Sequence, residues 1–135
     1  MVQTNIWDKL TFDKESPNLL KELKNQAQLL ADKTQGVLYA EVNPVDAYDE
    51  STLDLGIVYN FYVYAPYLGN IRALFFTIVE VGKRIMLVDK INGTGKIEAV
   101  SIDDLINKIE GIISTGEASN TLSNWFASSI EVKSK

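Results

Sequence analysis

The chain has 135 residues, of which 46% are hydrophobic and 23% charged, the balance of one globular domain rather than of a disordered chain. It contains no cysteine and no histidine. Those two absences exclude disulfides, thiol nucleophiles, Cys/His zinc sites, haem held by either residue, and every mechanism that needs an imidazole acid or base. Eighteen acidic residues against thirteen basic ones leave a net charge of −5.

Residues 1–5 have neither a positive region nor an apolar run, so no secretory signal is expected and a cytoplasmic location is the default. No uncharged apolar stretch is long enough to suggest a membrane span. With no repeat and no Gly/Ser-rich linker, residues 1–135 are read as a single domain.

Ile6, Trp7, Leu10 and Phe12 suggest a short apolar clasp at the start. Ser16-Pro17 is a good helix opening, because serine caps free N–H groups and proline is preformed for the first helical position. Leu19, Leu20, Leu23, Ala27, Leu30 and Ala31 then follow a helical stripe, with Gly36 as the expected left-handed stop. Beyond it the period becomes that of strands. The first is expected over Val37–Val42, ended by Asn43-Pro44, and an acidic loop follows from Asp46 to Asp54. Three runs rich in β-branched and aromatic residues come next, Ile57–Ala65, Ile71–Val81 and Arg84–Ile91. A tight turn at Asn92-Gly93 leads to a short fifth strand, Lys96–Val100. These connections are too short for parallel crossovers.

Ser101 and Asp104 form an S-x-x-D cap for a helix striped by Ile102, Leu105, Ile106, Ile109, Ile112 and Ile113. Gly116 interrupts it. Ala118, Leu122, Trp125, Phe126 and Ile130 mark a final helix. The order α-β(5)-α-α implies an α+β, two-layer fold: a five-stranded antiparallel meander with an N-terminal helix and two C-terminal helices.

Regular alternation through these strands divides the sheet into two unequal faces. One collects Ile57, Tyr59, Phe61, Val63, Phe75, Val79, Met86 and Val88 and reads as core. The other collects Tyr62, Tyr64, Arg72, Leu74, Phe76, Ile78, Glu80, Leu87 and Asp89, too polar for a sealed core and too apolar for bare exposure. A cover is expected there: a helix of the chain, a second copy or another protein. A one-residue slip would exchange the faces locally.

The charge is unevenly placed. Residues 37–69 hold Glu41, Asp46, Asp49, Glu50 and Asp54 with no Lys or Arg, while both flanks are neutral; the same stretch holds all six tyrosines. Tyrosine pairs a large apolar contact area with a hydrogen-bonding hydroxyl, and unbalanced acid favours a basic partner. The expected partner-binding residues are therefore Asp46, Tyr48, Asp49, Glu50, Tyr62, Tyr64, Arg72, Phe76 and Asp89.

Other chemistry is weaker on residue evidence. Gly93-Thr94-Gly95-Lys96 lacks the opening glycine and closing Ser/Thr of a phosphate loop, since Lys90 and Ile97 occupy those places. The Asp46–Asp54 segment lacks EF-hand spacing, so neither a metal nor a cofactor is expected. Glu80, Asp89 and Glu98 could support carboxylate catalysis, but nothing supplies an oriented second group. Only two arginines, Arg72 and Arg84, and no basic stripe argue against nucleic acid. In size, acidity and element order the chain is similar to small acidic proteins that hold another protein, such as toxin-immunity inhibitors and secretion chaperones. The function expected is a non-enzymatic protein-binding domain; the alternative is a small-ligand or carboxylate-based enzymatic domain with a pocket on the same sheet face.

Overall fold

The computed structural model describes residues 18–49, 54–82 and 84–135. Its elements follow the order α1 (Asn18–Lys33), β1 (Tyr39–Asp49), β2 (Asp54–Ala65), β3 (Ile71–Val81), β4 (Arg84–Asp89), β5 (Gly95–Ala99), α2 (Ile102–Ile113) and α3 (Gly116–Lys133), with a 3-10 turn at Pro66–Leu68. The sheet is an antiparallel meander with its strands side by side in chain order. The expected α+β architecture is what the chain adopts. Ser16-Pro17 and the Ile6–Phe12 clasp lie outside the described residues.

Helix α1 ends as its stripe requires, but the stop is one residue earlier than Gly36. Gln35, at φ 54°, takes the left-handed position; its N–H bonds to Asp32 O, and Gly36 N–H bonds back to Ala31 O at 2.8 Å. Gly36 is itself left-handed at φ 79°, as expected of it, and a Cβ there would also sit 3.0 Å from the Tyr39 hydroxyl.

The first hairpin is longer than its sequence suggests. Asn43-Pro44 does not end β1, and Asp46–Asp54 is mostly ladder rather than loop: Asp46 pairs with Ile57, Tyr48 with Leu55, and Asp49 with Asp54. Proline is tolerated because β1 is an edge strand, so the missing N–H at Pro44 breaks no inner ladder.

The second departure has larger consequences. Between Phe61 and Tyr62 the β2–β3 register shifts: Phe61 pairs with Phe76 and Tyr62 with Leu74, leaving Phe75 as the extra residue of a β-bulge. The bulge reverses face parity for the rest of β3 and for β4. Phe76, Ile78, Leu87 and Asp89 therefore turn inward, and Val79, Met86 and Val88 turn outward. The Phe75 carbonyl, freed from the ladder, accepts N–H bonds from both Lys90 and Ile91 at 3.1 and 3.0 Å, and β4 stops at Asp89.

The three helices among the described residues cover the same face. Leu19 and Leu23 of α1 and Leu105, Ile109 and Ile112 of α2 join Tyr59, Phe61, Val63, Phe75, Phe76, Ile78 and Leu87 in one core. Helix α3 closes one end, where Leu122 and Trp125 pack on Val37, Leu38 and Ala65. Ser101 Oγ accepts the Asp104 N–H at 3.0 Å, the expected α2 cap. The Asp104 carboxylate reaches Val100 N–H rather than that of Ser101, and also holds Lys108. The turn before α3 is fastened by Asn92, which donates to Ile112 O at 3.0 Å and accepts from Ala118 N at 2.9 Å.

Candidate interaction surface

With the helices on one side, no described element covers the other face of the sheet. In register order its centre is Val58 beside Val79 beside Met86, with Val88 and Leu74 adjoining, all partly exposed. Sheet residues alternate sides, so these aliphatics follow directly from the phase that the bulge imposes. Two polar side chains in this centre are hydrogen-bonded to each other: Thr77 Oγ1 donates to Asn60 Oδ1 at 3.0 Å.

One corner is aromatic. Tyr39 of β1 stacks on Tyr64 of β2, centroids 5.6 Å apart and planes within 20°. The Arg72 guanidinium lies 4.7 Å from the centroid of the Tyr62 ring. Glu41 stands opposite Tyr62 on the edge strand. At the other side of the sheet Arg84 Nε donates to Glu98 Oε1 at 3.0 Å. That hydrogen bond, and the charge behind it, holds the Glu98 carboxyl below the usual carboxylate range. The pair is well exposed, so it serves as a rim feature more than as a source of stability.

The residues selected from sequence divide accordingly. Tyr62, Tyr64 and Arg72 meet on the open face. Phe76 and Asp89 do not: they are 1% and 4% exposed and lie on the helix-covered face, because the bulge shifted the alternation that had placed them beside Tyr62. Asp89 has a local role, accepting from Asn92 N–H at 2.9 Å and from the Thr94 hydroxyl, which closes the β4–β5 loop. Asp46 is exposed but on the helix side of β1. Tyr48 and Asp49 sit further along β1, their side chains outside the described set, and Glu50 lies outside the described residues. Tyr39, Val79, Met86 and Val88 are the surface residues that regular alternation misplaces or leaves unassigned.

A recess of about 370 Å³ opens at the end of the helix-covered face, lined by Asp46, Gly56, Ile57, Glu80 and Gly82. Asp46 and Glu80 flank Ile57 across three strands. Burial pushes the Glu80 carboxyl above its ordinary range. Burial first, then the Glu80 charge, raises the Tyr59 phenol. A second, shallow depression of about 670 Å³ between α1 and the start of α2 is lined by Lys21, Glu22, Lys24, Asn25 and Ile102 and gathers none of the selected residues.

Among the described residues no three acidic side chains gather to hold a metal ion, and no helix is long and apolar enough to cross a membrane. No protein-family model, curated protein or solved structure matches the chain.

Proposed function

We propose that this chain is a non-enzymatic protein-binding domain of inhibitor or adaptor type, acting in the cytoplasm, whose partner packs on the open face of the sheet. The observation that carries the reading is the composition of that face. Aliphatic side chains at Val58, Leu74, Val79, Met86 and Val88 are bordered by Tyr39, Tyr62, Tyr64 and Arg72 and then by a charged rim. An apolar centre inside a polar border is the anatomy of a protein interface, and Tyr and Arg are the residue types that most often dominate its energy.

Charge refines the partner. Glu41 and Glu98 share the rim with Arg72, Arg84 and Lys96, so the face itself is of mixed sign. The acidic excess lies away from that face, at the far end of the first hairpin and in the Asp46–Glu80 recess, so it leaves the mixed-sign face to make the contact.

The test compares tagged wild type, Val79→Glu and Ser123→Glu purified from the native source. A polypeptide that accompanies wild type and Ser123→Glu in stoichiometric amount should be lost from Val79→Glu. Equal recovery with all three would overturn the reading, because a buried glutamate at the centre of the contact is not tolerated.

A further inference from the structure

We infer that the occupant of the open sheet face is a second copy of this chain, two sheets packing face to face about a two-fold axis. The inference rests on the protein-binding reading above and names its partner.

Three observations support it. The first is extent. Five strands about 4.8 Å apart, each offering about six residues at about 3.3 Å, give a footprint of roughly 500 Å² before side-chain relief. Two copies therefore bury on the order of 1,000 Å² or more, which reaches the threshold for a specific interface. The second is charge. The chain carries −5 overall, so two copies repel across most of their surfaces. On this face the described charges are Glu41 and Glu98 against Arg72, Arg84 and Lys96, and a surface of mixed sign can meet itself without that penalty. The third is shape. The face is an antiparallel sheet whose central polar side chains, Asn60 and Thr77, are already hydrogen-bonded to each other. Such a surface asks chiefly for apolar contact, with the Asn60 amide N–H groups left for a polar group of the partner copy or for water. Another sheet of the same twist supplies it, since two sheets with equal twist pack with their strands about 30° apart.

The absence of cysteine makes the test clean, because one introduced thiol is the only thiol. Light scattering on the purified chain should give twice the monomer mass at tens of micromolar, and Val79→Glu should halve it with an unchanged circular dichroism spectrum. Should Val79→Glu fail to fold, Val79→Cys carries the test: a short bis-maleimide should convert it to a covalent dimer, while Ser123→Cys on the exposed side of α3 stays monomeric. A monomeric wild type, or a dimer that Val79→Glu leaves intact and Val79→Cys does not cross-link, overturns the proposal. A monomeric wild type whose co-purifying polypeptide is still lost from Val79→Glu overturns the second-copy occupant alone. A monomer with no such polypeptide overturns the protein-binding reading as well.

Discussion

The ring of Phe61 stacks on that of Phe76, centroids 4.5 Å apart and planes 14° from parallel. This contact exists only because Phe75 is the extra residue of a bulge; without it Phe76 would point away from the helices. Phe76 is 1% exposed. Its replacement by alanine should cost about 3–5 kcal/mol, the range for a buried aromatic that leaves a cavity. Tyr62→Ala, on the open face, should cost well under half of that. Urea denaturation of both variants, at concentrations where the chain is monomeric, measures the difference, and comparable losses there would mean that the two faces have been exchanged.

The element order was legible because its signals are local. The isoleucine stripe of α2, the Ser101 cap and the short turns each depend on a few neighbouring residues. The phase of β3 was not legible. Leu74-Phe75-Phe76-Thr77-Ile78-Val79 is apolar on both parities, so the run carries no alternation that could announce a bulge. The opposing strand settles it instead, through a pairing across fifteen residues that spacing along one chain cannot reveal. The candidate surface divides in the same way: Tyr62, Tyr64 and Arg72 precede the bulge and lie on the face that regular alternation gives them, whereas Phe76 and Asp89 follow it and lie on the opposite one. The long β1–β2 ladder was obscured for a different reason, since proline and acidic residues read as loop unless the strand is known to be an edge.

Glu80 gives a pH dependence whose sign is opposite to that of a paired carboxylate. Burial raises its pKa in the folded chain, so just above the ordinary carboxylate range the folded state holds more protons than the unfolded one. Stability contributed by the neutral form is present at low pH and lost as pH rises through that window. Asp46 and the Tyr59 phenol face the same end of the sheet, and neither supplies a compensating cation. Glu80→Gln should therefore melt close to wild type near about pH 4 and above it near about pH 7. Thermal melts across that range test this; a gap that closes with rising pH would contradict it.

Gly116 begins α3 at φ 57°, and a Cβ there would lie 2.8 Å from Asn92 Oδ1. Gly116→Ala should cost about 1–2 kcal/mol for the left-handed backbone alone, and more if Asn92 is displaced. Asn92 also carries the bonds to Ile112 O and Ala118 N. The loss in Gly116→Ala should accordingly shrink when Asn92 is already alanine. A double-mutant cycle read by urea denaturation gives the coupling, and strict additivity would show that the two residues act separately.

Ser129 is fully buried in α3 and its hydroxyl finds no partner among the described residues. An unsatisfied buried hydroxyl costs free energy, so Ser129→Ala should leave stability unchanged or raise it by up to about 1 kcal/mol. A clear loss in urea denaturation would mean that the hydroxyl is hydrogen-bonded in solution.

The central claim is that the open sheet face is where this protein meets another polypeptide. Its most direct measurement places a photo-reactive phenylalanine analogue at Tyr62, and separately at Ser123 on the exposed side of α3, in cells of the native source. The account predicts a discrete covalent adduct with a polypeptide from position 62 and none from position 123. Adducts of equal yield from both positions, or from position 123 alone, would contradict it.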